Sequence, residues 1–174
     1  MVARDFKPAE PLKVCGTDVT EFKLKTGDKL YLSPIKDFCS GEILSYTISD
    51  SPNLEMVMSM LKGLYQKHPC REGMVLHSDQ GWNYQHASYQ ENLKEHKILQ
   101  SMSRKGNCID NSATETFFGT IKTEMWFGHE KEFDTKEELK DAIEEYIFWY
   151  NNERIQVKLK GLSPVQFRKQ TLEY

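Results

Sequence analysis

The stretch HSDQGWNYQHASYQENLKEHKILQSMSRKGNCIDNSATETFFGTIKTE, residues His77–Glu124, alternates two kinds of periodicity. Asp79 directly follows the short apolar run GMVLHS, Gly73–Ser78, which is bounded by turn residues and reads as a buried strand. Tyr89–His96 then reads as a helix, and KILQSM, Lys97–Met102, as another strand. From Asn111 to Met125, Phe117, Phe118, Ile121 and Met125 recur at spacings of three and four, the mark of a helix with one apolar side. One acid therefore stands at a strand end, and a second, Glu115, inside a helix.

Working outward, VCGTDVTEF (Val14–Phe22) reads as a strand with Asp18 at its middle. KLYLSPIKDFC and GEILSYTISD follow, joined at Ser40 and Gly41, and the three together suggest an antiparallel meander. Leu54, Val57, Met58, Leu61 and Leu64 predict a helix between Asn53 and Gln66. Thr135 and Glu138 form a capping-box pattern ahead of a stripe of Leu139, Ala142, Ile143, Tyr146, Ile147 and Tyr150. Ser163 followed by Pro164 marks the start of a last helix. This order predicts an α/β fold: a five-stranded mixed sheet flanked by helices on both faces.

The 174 residues suit one domain, and 39% hydrophobic content is enough to build a core. No apolar run approaches the roughly 20 residues needed to span a bilayer. The polar start MVARDFKPAEP has no apolar signal region, so the chain reads as cytosolic, with residues 1–12 a tail and 13–174 the domain. Four scattered cysteines without a C-x-x-C pair read as reduced thiols. His68, Cys70 and His77 lack the paired spacing of a structural zinc site. The net charge of −3 does not advertise a nucleic-acid binder, although a local basic patch suffices for one.

If the first and fourth strands are neighbours, Asp18 lies beside Asp79, and a helix over that edge adds Glu115. Three adjacent carboxylates resist joint ionisation unless a cation joins them. An all-oxygen donor set suits Mg²⁺ or Mn²⁺, and a pair of such ions is the usual clamp for displacement at phosphorus. On the helix, Glu115, Gly119 and Lys122 share a face, while Arg104 and Lys105 in SRKGN are candidate phosphate contacts. Each residue also has an ordinary reading. A lone strand Asp is often an edge or capping residue, HSDQG is a plausible turn, Glu115 could be solvated, and His77 a structural hydrogen-bonder.

Together GTDVTEF, LHSDQGWNY and SRKGNCIDNSATETFFGTIKTE, with 35 residues between Asp79 and Glu115, resemble the three motifs of a known family. That family is the insertion-sequence transposases related to retroviral integrases, founded on insertion sequence three. The ending FWYNNERIQVKLKGLSPVQFR is also similar, so the likeness runs from about Lys13 to Arg168. It implies a ribonuclease H-like fold and a metal-binding catalytic triad of Asp18, Asp79 and Glu115 using Mg²⁺ or Mn²⁺, two ions in all. It also implies cleavage and 3′-end transfer of double-stranded DNA, at transposon ends and target, by a multimer acting on the bacterial nucleoid. Cys15 and Gly16 stand where many relatives carry Trp, and the family's N-terminal helix-turn-helix region is expected to be absent. A nuclease that only cleaves, and an inert DNA-binding or assembly module, are the alternatives.

Overall fold

The computed structural model describes residues 8–69, 72–103 and 112–173. Strands β1 (Val14–Thr17) and β2 (Thr20–Lys23) both pair antiparallel with β3 (Lys29–Asp37), which also pairs with β4 (Ile43–Ser49). On the other side β1 runs parallel to β5 (Val75–Ser78), and β5 parallel to β6 (Leu99–Met102). The sheet is mixed, and β1 and β2 occupy one position in it.

The expected first strand is thus broken at Asp18 and Val19, and the cause lies in β3. Thr17 faces Ile35 and Thr20 faces Leu32, so the register is the same on both sides of the gap. Asp37 donates its N–H to Glu42 and Phe38 donates to Val14, so the even-numbered residues of β3 turn their backbone groups toward β1 and β2. Pro34 therefore stands opposite Asp18, and it has no N–H to give. The ladder loses a rung where the first acid sits.

Helices cover both faces. Alternation sends Cys15, Ile35 and Leu76 to one face, under α1 (Leu54–Lys67) and α3 (Ala87–Glu95), where Val57, Met60, Leu61, Leu64 and Leu93 complete an aliphatic core. The other face carries Phe22, Leu30 and Leu32 under α4 (Ser112–Ile121) and α5 (Lys136–Asn152), with Phe117, Ile121, Leu139, Ile143 and Tyr150. The short helix α2 (Trp82–Gln85) follows β5, and α6 (Pro164–Leu172) is the last helix. Among the described residues no helix is long and apolar enough to cross a membrane.

The helix starts follow the sequence. Asn53 caps α1 by accepting from Met56 N–H. Thr135 and Glu138 close a capping box on α5, and Ser163 and Gln166 do the same before Pro164. The helix expected to reach Met125 ends at Ile121 and continues as a wider π turn over Lys122–Trp126.

Candidate active site

The parallel register pairs Val14 with Val75, Cys15 with Leu76 and Gly16 with His77. Two residues further along, Asp18 and Asp79 leave the ends of neighbouring strands side by side, with a strand spacing of about 4.8 Å. Gly16, two residues before Asp18 and paired with His77, lies against Thr114 of α4, and alternation returns Asp18 and Asp79 to that face. Glu115 sits in the first turn of that helix, exposed like Asp79, whereas Asp18 is half-buried.

The helix comes this close because Gly16 has no side chain. A Cβ there would fall 2.5 Å from the Phe38 ring and 2.7 Å from Thr114 Oγ1, so only glycine admits the residue next to Glu115. On the far side Gly81 N–H donates to Asp79 Oδ1 at 2.8 Å, closing the turn that aims the second acid.

The electrostatics join the three acids. Burial raises the Asp18 carboxyl to about 6, the charges of Asp79 and Glu115 push it the same way, and a hydrogen bond from Val19 N–H (2.8 Å) opposes them. A neighbouring acid shows the contrast. Asp37, fully buried, accepts from Leu12 N–H, Ser40 N–H and Ser40 Oγ at 2.6–2.8 Å, so its charge is satisfied within the fold. Among the described residues the Asp18 side chain accepts a hydrogen bond only from Val19 N–H, and the charges of Asp79 and Glu115 push against it. Tyr84 is buried close by, its phenol pushed well above the usual range by burial, by Tyr89 and by the Asp18 and Asp79 charges.

A divalent cation fits this donor set. The three carboxylates would offer hard oxygens, without thiolate or imidazole, and a cation would relieve the repulsion that Asp18 carries. Among the described residues, no three His, Cys, Asp or Glu side chains are gathered tightly enough to hold an ion. The Asp18 and Asp79 carboxylates are each turned onto a backbone amide, at Val19 and Gly81.

His77 has the structural role that was its simpler reading: its ring lies within 3.0 Å of Ser101 Oγ and 2.9 Å of Ser103 Oγ, across β5 and β6. Lys122 is half-buried with its ammonium 5.4 Å from the Phe22 ring centre, and burial lowers its pKa against the pull of Glu21. Arg104 and Lys105 lie outside the described residues, as does Cys70. Sequence reasoning missed Lys36, a buried lysine on β3 that donates to the Ala113 carbonyl of α4. Its signal was a charge in the midst of the apolar strand YLSPIKDF.

The final motif is tied to the C-terminal segment. Glu124 receives Arg154 Nε (2.9 and 3.1 Å) and Tyr146 OH (2.6 Å), and Arg168 pairs with Glu42.

The chain is similar to known proteins in sequence and in fold. The integrase core domain family matches residues 8–108 and again 115–172. An uncharacterized transposase-like protein of Haemophilus influenzae is 52% identical over 174 residues, covering 99% of this chain and 78% of that protein. The InsK protein for insertion sequence element IS150 of Escherichia coli K12 is 51% identical over 171 residues, 98% of this chain, and this chain spans 59% of it. The HTLV-2 integrase catalytic core domain in complex with magnesium superposes with a TM-score of 0.72 at 19% identity, over 93% of this chain and 99% of that one. A simian T-cell lymphotropic virus intasome chain gives 0.79 at 17% identity, over 93% and 56%. Those two likenesses concern the fold, which is ribonuclease H-like. The chain belongs to the integrase core domain family, as a catalytic core of the insertion-sequence transposase kind.

Proposed function

We propose that this core cleaves a DNA strand at a transposon end and joins the freed 3′ end to target DNA, with Asp18, Asp79 and Glu115 as the catalytic, metal-holding residues. The observation that supports the reading is that Asp18 and Asp79 follow the ends of the parallel, in-register strands β1 and β5, and that the charges of Asp79 and Glu115 both push the Asp18 carboxyl up. Asp18, Asp79 and Glu115 would together hold Mg²⁺ or Mn²⁺, two ions in all. When bound, such ions sharpen the attacking oxygen and stabilise the leaving one at phosphorus.

The residues' own work is to fix those positions and to keep the phosphodiester in line. Water first attacks the phosphorus and breaks its bond to the 3′ oxygen, which leaves as a 3′-hydroxyl. That hydroxyl then attacks a second phosphodiester, displacing another 3′-hydroxyl, so no covalent link between protein and DNA is required. Arg104, Lys105 and Lys122 are proposed to contact the DNA backbone, in a multimer that brings two ends together in the bacterial cytoplasm. Each changed to Ala should flatten the salt dependence of binding by roughly one unit of slope.

Incubation of a labelled duplex with Mn²⁺ tests the reading. The wild-type chain should nick it and Asp79→Asn should not; equal nicking by both would discard the triad. Joining of the 3′ end to a second duplex separates a transposase from a nuclease that only cleaves.

A further inference from the structure

We propose that Lys36 is a positioning residue of the site, holding the first turn of α4 and so fixing where Glu115 stands; this rests on the triad reading above. Lys36 is 3% exposed and lies directly across the ladder from Gly16. Its Nζ donates to the Ala113 carbonyl at 2.9 Å and sits 6.0 Å from the centre of the Phe117 ring. Residues 113 and 117 are one turn apart on the helix, and Thr114 packs on Gly16 between them. Contacts from one rung of the sheet, an absent side chain on β1 and an ammonium on β3, thus bracket Glu115 on both sides. At the same rung β4 carries an extra residue, Ile35 facing Ser45 and Lys36 facing Ile43. Such bulges re-aim side chains near functional sites.

Stability alone does not call for a lysine here. Burial, together with the nearby Lys158 and Arg154, brings its pKa down to about 7 against the opposing pull of Asp37. A cation near a helix N-terminus also opposes the helix dipole. Methionine would fill the space without those costs but cannot donate to Ala113. The lysine costs stability and supplies a bond that an apolar side chain lacks.

The test compares wild type with Lys36→Met, Lys36→Gln and Lys36→Arg in two measurements. The first is amide hydrogen exchange across residues 112–121. The second is the shift in melting temperature on titrating Mn²⁺ alone. Lys36→Met should melt without metal at or above the wild-type temperature, exchange at least tenfold faster in the first turn of α4, and need about tenfold more Mn²⁺, the usual effect of removing a supporting partner. Lys36→Arg should keep most of the wild-type protection, and Lys36→Gln, with its shorter reach, should behave like Lys36→Met. Unchanged exchange in Lys36→Met would overturn the proposal, as would faster exchange spread evenly over the domain. If Lys36→Met fails to fold, the exchange in Lys36→Gln decides in its place. Should wild type itself ignore Mn²⁺, the triad reading fails, while the exchange measurement still judges Lys36.

Discussion

Helices α4 and α5 lie side by side over the same aromatic core, yet their first turns are held by different means. The start of α5 is set by its own residues, with Thr135 and Glu138 exchanging hydrogen bonds with each other's backbone. Among the described residues, what meets the first turn of α4 comes from the sheet: Gly16 lies beneath Thr114, and Lys36 donates to the Ala113 carbonyl. A locally capped helix is a scaffold whose start survives changes elsewhere. A helix seated on a strand reports the position of that strand, which is what a carboxylate needs if it must meet two others on strand ends.

The largest stability loss should come from the scaffold. Leu139, fully buried in α5, changed to Ala should cost about 2–5 kcal/mol in denaturant unfolding. Mn²⁺ should still raise the melting temperature of the folded fraction, and loss of that response would mean that the two helices are not separable. Gly16→Ala should cost less, about 1–3 kcal/mol, because Phe38 and Thr114 must give way. Unlike Leu139→Ala it should abolish Mn²⁺-dependent nicking, and retained nicking would show that the seat of α4 tolerates displacement.

Asp18→Asn has the opposite sign. With its carboxyl raised to about 6, folded Asp18 holds a proton that the unfolded chain has already lost near pH 4. Metal-free stability should therefore fall as pH rises from about 4 to about 6. Asp18→Asn removes that fall and should melt higher at pH 7, by on the order of 1–2 kcal/mol after screening. A melting profile unchanged by the substitution would mean that the acids do not oppose folding. The smallest effect belongs to Thr135→Ala, which loses one cap at a cost of about 1 kcal/mol and should leave nicking at the wild-type rate.

The same contrast explains what was legible in the sequence. Capping boxes, apolar stripes and turn residues are local, so α1, α5 and the helix from Pro164 were readable to within a residue or two, and so was the mixed order of strands. The three acids stand out by their places in a strand, at a strand end and on a helix, and the family motifs then mark them together, because no periodicity distinguishes Asp18 from the structural Asp37. The break at Asp18 depends on Pro34 in a different strand, and the seat of α4 on a pairing of Gly16 with Lys36 that only the folded register creates. Lys36 stands out in the sequence only as a charge amid the apolar run YLSPIKDF, and its partner Ala113 lies far along the chain. The turn to wider geometry at Lys122 also went unread, since Ile121 and Met125 keep helical spacing through it.

The central claim is that Asp18, Asp79 and Glu115 form one metal site, and anomalous scattering from a crystal soaked in Mn²⁺ tests it most directly. The expected result is a manganese peak between the Asp18 and Asp79 carboxylates, with their bonds to Val19 and Gly81 released and Glu115 turned toward the metal. A manganese peak found only elsewhere, with those two carboxylates still on their backbone amides, would contradict it.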